Sequence, residues 1–243
     1  MTIAEQMHSA FAPRAYALDA SNWIAEPASK IDASAKAPAL LREVVIRIAD
    51  VTISLLAIVV LLPCLIAIAL LVKVQEAGPV IFAQRRVGKD LRPFKCLKFR
   101  SMRTNAAEVL ATLLENDPQA RAEWATDHKL RDDPRVTRLG AFMRKTSLDE
   151  LPQLFNVLMG NMSLVGPRPI VEAEIARYGR SMRHYCRQVP GITGLWQVRG
   201  RNDVSYSRRV AMDRLFARRR SVRLYVSILL LTVPAVLLRR GSY

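Results

Sequence analysis

Two adjacent carboxylates, Asp149 and Glu150, follow the cations Arg144 and Lys145 in the short segment RKTSLDELP. Carboxylates in such a setting act as nucleophiles or as metal ligands. The neighbouring cations are expected to lower the pKa of Asp149 and to keep its carboxylate ionised. A structural explanation is equally good at this stage, because Ser147 and Glu150 match the S-x-x-E pattern of a capping box at a helix start.

Pro152 argues against a helix capped at Ser147. In such a helix the proline would fall where an amide hydrogen is needed, whereas proline prefers the first helical position. The regular helix is therefore predicted to begin nearer Leu151, which places Asp149 and Glu150 just before its N-terminus. Composition alone leaves catalysis and helix capping as equally good explanations of the pair.

Further cations in the chain are suited to holding phosphate groups. In VGPRP, residues 165–169, two prolines stiffen the backbone, and Pro169 also restricts Arg168. A guanidinium presented from a stiff turn can bind a phosphate through two hydrogen bonds. Lys98 and Arg100 lie at the end of a predicted β-hairpin and add positive charge. We therefore expect these side chains to contact a phosphorylated substrate.

Composition and missing motifs restrict the classes of function. The net charge of +16 indicates a polyanionic partner such as nucleic acid, anionic lipid or a phosphorylated substrate, while the 7% of aromatic residues gives little support for base stacking. The glycine-rich phosphate loops and the H-E-x-x-H pattern are absent, so side-chain cations and a metal ion would have to neutralise bound phosphates. Three scattered cysteines fit a reduced, cytosolic setting, and the N-terminus does not read as a secretory signal.

An uncharged run of 22 residues, 51–72, precedes these groups. At about 1.5 Å per residue it is just long enough to cross a hydrocarbon core of about 30 Å. Pro63 predicts a kink in the middle, and cations flank both sides, with Arg42 and Arg47 before the run and Lys73 after it. Because positive residues favour the cytoplasmic side, a re-entrant helix is predicted. A spanning helix and a buried core helix are the alternatives.

The remaining pattern predicts three parts: a mobile tail at 1–40, the membrane helix at 41–75, and a catalytic domain at 76–243. Within the domain, the alternation that begins at GPVIF predicts a β-hairpin that turns at residues 88–90. Residues 104–127 are predicted to be helical.

Seven arginines and a single acid occur in residues 208–223, with apolar residues between them at helical spacing. This pattern predicts a basic amphipathic helix on an anionic membrane surface, and an ordinary solvated helix is the alternative. The apolar run 225–238 is too short to span a membrane and is expected to lie in the interface or against the core.

The segment KTSLDELPQLFNVLMGNMSLVGPRP resembles the signature of the bacterial sugar transferases, the monotopic phosphoglycosyl transferases. The resemblance includes GPVIFAQRRVG, KFRSM and PGITGLWQVRGRN, and it covers residues 42–243. The forms GLWQV and VPAVLLRRGSY are most similar to the branch that starts exopolysaccharide synthesis, including galactose-1-phosphate transferases.

This resemblance implies a two-step transfer of a hexose-1-phosphate from a UDP-sugar to a polyprenyl phosphate such as undecaprenyl phosphate. Asp149 would be the nucleophile that attacks the β-phosphorus, releases UMP and holds the sugar phosphate covalently. Glu150 would bind Mg²⁺, with Asp149 as the second carboxylate. The expected substrate-binding residues are Lys98, Arg100, Arg144, Lys145, Gln153, Arg168 and Arg201. One departure from the family pattern is Arg199, which stands where Asn often precedes Gly-Arg.

The fold implied is α+β and mainly helical: a monotopic membrane protein with a re-entrant membrane helix, a small β-hairpin and interfacial amphipathic helices. The implied location is the bacterial inner (cytoplasmic) membrane, with the catalytic domain on the cytoplasmic face, in contact with membrane lipids and without a nucleic-acid partner. The sequence leaves the oligomeric state open. The rival interpretations are a membrane-tethered nucleic-acid-binding protein and a non-catalytic membrane scaffold.

Overall fold

The structure is a computed structural model that describes residues 33–127, 130–200 and 204–237. Its regular elements, in chain order, are α1 (Ala33–Gln75), β1 (Ile81–Val87), β2 (Pro93–Phe99), α2 (Ala106–Asn116), α3 (Pro118–Asp127), α4 (Arg138–Thr146), α5 (Gln153–Leu158), β3 (Ser163–Val165), α6 (Ile175–Tyr178), α7 (Met182–Cys186), β4 (Gly191–Thr193), α8 (Leu195–Arg199), α9 (Tyr206–Arg218) and α10 (Val222–Leu237). The mostly helical composition with small sheets agrees with the predicted α+β class.

Helix α1 is one unbroken helix that continues through Pro63 and begins at Ala33. Among the described residues it is the one helix that is long and apolar enough to cross a membrane. One face packs on the domain, whereas the opposite face leaves large apolar side chains exposed, among them Leu56, Val60 and Leu70. An outward apolar face of this length fits contact with lipid, because exposure of so large a continuous apolar surface to water is unfavourable.

The predicted hairpin is confirmed. Strands β1 and β2 pair antiparallel, with Phe82 opposite Lys98 and Gln84 opposite Cys96. Asp90 adopts a left-handed backbone, with φ of 54°, in the tight turn between the strands. Because cross-strand partners share a face of the sheet, the register determines which side chains point together.

The helical structure predicted for residues 104–127 is confirmed, and it is divided at Asp117 into α2 and α3. The Asp117 carboxylate accepts the backbone N–H groups of Gln119 and Ala120. Pro118 follows it and lacks an amide hydrogen for a continuing helix. An N-capping acid before a proline is a start signal, and here it overrides the helical propensity of the flanking segments.

The helix predicted at 208–223 is likewise divided, between α9 and α10. The break follows Arg218, and the Ser221 hydroxyl accepts the N–H of Leu224 at the start of α10. The apolar run that follows packs one face into the core through Tyr225 and Ile228. Its other face is exposed.

The buried core has two parts. The main cluster joins α1, β2, α4, α5, β3, α9 and α10, while a second cluster lies around Tyr178, Met182 and Tyr185. Strands β3 and β4 pair in parallel, and Gly166 directly after β3 lies against the backbone of Val189 and Gly191, where a Cβ would collide. This close contact fixes the start of the Gly-Pro-Arg-Pro turn on the core.

Candidate active site

The carboxylate pair lies on a reversal of the chain between two helices. Helix α4 ends at Thr146, Ser147 adopts a left-handed backbone with φ of 59°, and a 3-10 turn over Leu148–Glu150 leads into α5. The Ser147 hydroxyl makes no capping hydrogen bond. The capping-box explanation of the pair is therefore wrong. The regular helix begins at Gln153, close to the start predicted near Leu151.

Lys98 of strand β2 faces both carboxylates. Its Nζ lies 2.6 Å from Oε1 of Glu150 and 4.0 Å from Oδ2 of Asp149. The Arg168 Nη2 lies 3.7 Å from the same Glu150 oxygen. The hairpin and the Gly-Pro-Arg-Pro turn thus bring two cations from distant parts of the chain onto one acidic pair.

The two carboxylates have opposite pKa shifts. Burial raises the pKa of Asp149, and the nearby Glu150 charge adds to this, although Lys98, Arg144 and Arg168 oppose it. Burial would also raise the pKa of Glu150, but Lys98 and Arg168 outweigh it and lower that pKa to about 2. The sequence-based expectation of a lowered pKa for Asp149 is therefore wrong, because neighbouring cations alone do not offset its desolvation.

Asn156 of helix α5 fixes strand β2 beside the carboxylates. Its Oδ1 accepts the N–H of Leu97 at 2.9 Å, and its Nδ2 donates to the carbonyl of Lys95 at 2.8 Å. Asn156 is completely buried. The helix that follows the carboxylate pair is thus joined directly to the strand that carries Lys98.

A small cavity opens beside Glu150. The residues that line it are Arg86, Cys96, Lys98, Glu150, Gln153, Arg168, Pro169, Gly191 and Ile192. The cavity combines cationic walls with a backbone floor at Gly191. Such a concave, positively charged surface fits the phosphate groups of a nucleotide-linked substrate.

Arg144 approaches the pair from helix α4. Its Nε donates to the Ser101 hydroxyl at 2.9 Å, and its charge favours the ionised form of Asp149. Gly140 allows this approach, because a Cβ there would collide with the Ser101 backbone. Close packing of α4 on the end of the hairpin therefore aims Arg144 at the site.

The other predicted substrate-binding residues are placed differently. Gln153 is buried and lines the cavity. The Arg100 guanidinium instead donates to the carbonyls of Val72 and Glu76 at the end of α1. Lys145 is exposed on the last turn of α4. Arg201 lies outside the described residues.

Arg86 was missed by the sequence reasoning. It lines the cavity, and its Nη1 donates to the carbonyl of Pro169 at 3.1 Å. Burial and the nearby Arg168 charge lower its pKa. Strand periodicity contained the signal, because residues 82, 84 and 86 face the same side of the hairpin as their partners Lys98, Cys96 and Phe94.

The site offers limited protein ligands to a metal ion. Within the described residues, no group of three or more His, Cys, Asp and Glu side chains is placed to share a metal. Two adjacent carboxylates nevertheless fit Mg²⁺, which is commonly held by one or two carboxylates together with substrate phosphates. Asp149 and Glu150 would be those carboxylates.

Comparison with known proteins matches residues 41–239 to the family model described as bacterial sugar transferase. The chain is 52% identical over 197 residues to the UDP-galactose-lipid carrier transferase of Erwinia amylovora, covering 81% of this chain and 41% of that protein. It is 48% identical over 194 residues to the exopolysaccharide production protein ExoY of Sinorhizobium fredii, covering 80% and 86%.

A third relative, the UDP-glucose:undecaprenyl-phosphate glucose-1-phosphate transferase of Klebsiella pneumoniae, is 41% identical over 207 residues, which cover 81% of this chain and 41% of that protein. The chain thus spans about two fifths of the length of the Erwinia and Klebsiella proteins and most of ExoY. The hairpin, the carboxylate turn and the Gly-Pro-Arg-Pro turn all fall inside the matched residues. The chain belongs to the bacterial sugar transferase family.

Proposed function

We propose that the protein transfers a hexose-1-phosphate, of the galactose or glucose type, from a UDP-sugar to undecaprenyl phosphate and so initiates exopolysaccharide synthesis. The names of the relatives supply the two substrates and the pathway. The observation that carries the proposal is the cluster in which Lys98 and Arg168 face the Asp149–Glu150 pair. A non-catalytic scaffold would not need cations placed over two adjacent carboxylates.

In the first step, a carboxylate oxygen of Asp149 attacks the β-phosphorus of the UDP-sugar. The bond from that phosphorus to the bridging oxygen breaks, and UMP leaves with the oxygen and its electron pair. The product is a sugar phosphate joined to Asp149 as an acyl phosphate. Asp149 suits this role because it adjoins Glu150, which lines the cavity, and, unlike Glu150, is not held in a short ion pair.

In the second step, a phosphate oxygen of the undecaprenyl phosphate attacks the same phosphorus. The new bond completes a diphosphate, and the acyl phosphate bond breaks to return the Asp149 carboxylate. Two successive transfers let one cationic site serve both substrates in turn. Proximity and charge neutralisation compensate for the weak nucleophilicity of a carboxylate.

The surrounding side chains orient and neutralise the diphosphate. Lys98, Arg144 and Arg168 are the cations nearest the pair, and Arg86 extends the cationic wall of the cavity. Asp149 and Glu150 would hold Mg²⁺ once the diphosphate supplies further oxygens, and the ion would stabilise the charge that develops on the departing UMP. Removal of Mg²⁺ by a chelator should then abolish UMP release.

We further propose that α1 lies re-entrant in the inner membrane, with both of its ends at the cytoplasmic face. Near the start of the helix, Glu43 pairs with Arg220 of the domain at 2.8 Å. At its end, Arg100 binds the carbonyls of Val72 and Glu76. A helix that crossed the bilayer would leave a water-exposed domain in contact with only one of its ends, so polar contacts of one domain with both ends favour the re-entrant arrangement.

The test uses the full-length protein in detergent with a UDP-sugar alone. We expect a burst of about one equivalent of UMP per active site and a hexose-phosphate adduct on the peptide that contains Asp149. Undecaprenyl phosphate should then remove the adduct. UMP release that requires both substrates, with no trapped adduct, would exclude the covalent route.

Asp149→Asn should lower UMP release by more than about 10³-fold, because the amide is not a nucleophile. Asp117→Asn is the matched control, since an asparagine can still cap α3. Near-normal UMP release by Asp149→Asn would remove Asp149 as the nucleophile. Failure of every UDP-sugar, together with tight salt-dependent binding of duplex DNA, would instead favour the nucleic-acid-binding alternative.

A further inference from the structure

The backbone that carries Arg168 is fastened to its surroundings from outside the turn. The carbonyl of Ile170 accepts the N–H of Val87 at 2.9 Å. The carbonyl of Pro169 accepts a hydrogen bond from Arg86. Two further backbone groups, the N–H of Ile170 and the carbonyl of Arg168, contact one side chain, the buried phenol of Tyr185.

The Tyr185 hydroxyl joins three backbone groups. It accepts the N–H of Ile170 at 3.2 Å and donates to the carbonyl of Val87 at 2.9 Å, with the carbonyl of Arg168 a second acceptor at 3.3 Å. The single hydroxyl thus links the turn that follows β3 to the last residue of β1.

Tyr185 itself stands behind the site. It is 1% exposed on α7 and contacts the Tyr178 ring edge-to-face at a centroid distance of 5.2 Å. It is not one of the described residues that line the cavity. Burial raises the pKa of Tyr185, so the phenol stays protonated and keeps its donor at working pH. With 1% of its surface exposed, Tyr185 makes its hydrogen bonds to the backbone and is not in a position to touch a substrate.

The chemistry of the turn explains why an external anchor is needed. Pro167 and Pro169 have no backbone N–H, so two of the donors that a turn would use to stabilise itself are missing. Prolines fix the φ angles, but they do not fix the position of the turn relative to the hairpin. That position decides how far the Arg168 guanidinium lies from Glu150 and from a bound diphosphate.

We propose that Tyr185 is a positioning residue that acts through Arg168, by holding the 168–170 backbone against strand β1. This inference rests on the proposed function, because Arg168 matters through the phosphates it would bind. It adds a residue that touches no substrate and that stands 17 positions away from Arg168.

Kinetic tests use Tyr185→Phe, which keeps the ring and removes the hydroxyl. We expect a rise in KM for the UDP-sugar of about five-fold, the value of one lost hydrogen bond, while the UMP burst amplitude stays at one per site. In an Arg168→Ala background the same change should have no further effect, since residues that act as a unit are not additive. Full additivity would overturn the proposal.

Tyr178→Phe is the matched control. Its hydroxyl donates to Asp213 in the same buried cluster and, among the described residues, makes no hydrogen bond to the 168–170 segment. If Tyr178→Phe and Tyr185→Phe raise KM equally, the effect comes from general loosening of the cluster, and the positioning role is wrong.

A second measurement does not depend on activity. Hydrogen exchange of the peptide 164–171 should be faster in Tyr185→Phe than in the wild type, and unchanged in Tyr178→Phe. Unchanged exchange in Tyr185→Phe would overturn the inference even in an enzyme that turns over. Absence of UMP release from the wild type would contradict the proposed function alone, because the exchange comparison would still decide the role of Tyr185.

Discussion

Asp149 and Glu150 are chain neighbours with different electrostatic surroundings. Glu150 takes the short ion pair with Lys98 and the longer one with Arg168, and these charges keep it ionised down to a pKa of about 2. Asp149 is more deeply buried and carries a raised pKa. Neighbouring titratable groups whose pKa values are shifted in opposite directions are typical of active sites in which each group has a different role. Here the ion-paired Glu150 suits charge binding, and Asp149 suits covalent chemistry.

The raised pKa of Asp149 predicts a pH dependence. The nucleophile must be ionised, so the rate of UMP release should fall as the pH drops through a value above the ordinary Asp pKa of about 3.9. Glu150 stays ionised throughout this range, so its titration adds no second fall in the rate. Stopped-flow or quench measurements of the burst at low substrate concentration would give the acidic limb, the part of the pH profile in which the rate falls with falling pH.

Lys98→Met sharpens this pH test. Loss of the ammonium removes a charge that lowers the Asp149 pKa, so the acidic limb should move to still higher pH. Lys89→Met, at the exposed hairpin turn, is the control and should leave the limb in place. An acidic limb with an apparent pKa at or below the ordinary Asp value, or one whose apparent pKa falls in Lys98→Met, would contradict the assignment of the limb to Asp149.

At the scale of secondary structure, the ends of elements decide which side chains reach the site. Arg100 is only two residues from Lys98, yet its guanidinium caps the C-terminus of α1. The unpaired carbonyls at a helix end attract cations. Asn156, in the middle of α5, joins that helix to β2. Both residues have a structural role: Arg100 holds the end of α1, and Asn156 holds the strand that carries Lys98.

Arg100→Ala is predicted to reduce stability without changing substrate affinity. Loss of its hydrogen bonds to α1 should lower the free energy of unfolding by about 1 to 2 kcal/mol. The KM for the UDP-sugar should stay within about two-fold, whereas Arg168→Ala should raise it by more than tenfold, as expected for roughly 1.5 to 3 kcal/mol of charged hydrogen bonding. Thermal unfolding and initial rates would measure the two effects.

Arg103→Ala, an exposed arginine three positions along, is the control for Arg100→Ala and should change neither quantity. A large KM effect in Arg100→Ala with unchanged stability would show instead that Arg100 leaves the helix end to bind substrate, as the sequence first suggested.

Asn156→Ala is predicted to affect both stability and activity. It leaves the N–H of Leu97 and the carbonyl of Lys95 without their partner, at a cost of about 1 to 3 kcal/mol. Displacement of the strand that carries Lys98 should also slow UMP release on the order of 10- to 100-fold. Asn116→Ala, which removes one exposed hydrogen bond within α2, is the control. Unaltered UMP release in a destabilised Asn156→Ala protein would limit Asn156 to a structural role.

At the scale of the whole molecule, α1 is part of the catalytic domain and not a detachable anchor. Its buried face contributes Ile46, Ile58, Leu65 and Val72 to the main core. The Asp50 carboxylate accepts the N–H of Leu164 and the hydroxyl of Tyr225, which ties the helix to β3 and α10. The exposed apolar face of α1 and the candidate site thus share one core, as the proposed transfer from a soluble to a lipid substrate would require.

The re-entrant proposal predicts the sidedness of chemical labels. In a background without the native cysteines, cysteines introduced at Ser29 and at exposed Glu172 should both react with an impermeant maleimide only in inside-out vesicles. Pro63→Leu restores a backbone donor within α1, and we expect it to convert part of the population to a span whose Ser29 label reacts from outside. Leu61→Ile is the control. External labelling at Ser29 with Pro63 intact would establish a spanning helix.

The sequence by itself determined much of the candidate site, because the relevant signals are local. The Asp-Glu pair, the Gly-Pro-Arg-Pro turn and the hairpin each depend on backbone preferences within a few residues. Pro152 also located the start of the helix after the pair to within two residues, at Gln153. The prediction of one helix at 208–223 overlooked the capping signal at Ser221, and the helical prediction at 104–127 did not include the break at Asp117.

Only the tertiary structure decided which cations serve the carboxylates and how strongly burial competes with them. Arg86, which the sequence did not suggest, lines the cavity, whereas Arg100, which was expected there, contacts the end of α1. Contacts between distant segments orient each of these side chains. The pKa of Asp149 rose where its chain neighbours suggested a fall, since desolvation depends on everything packed around a group and not on adjacent residues. Spacing along a chain specifies local geometry, whereas burial and long-range charge exist only once the chain has folded.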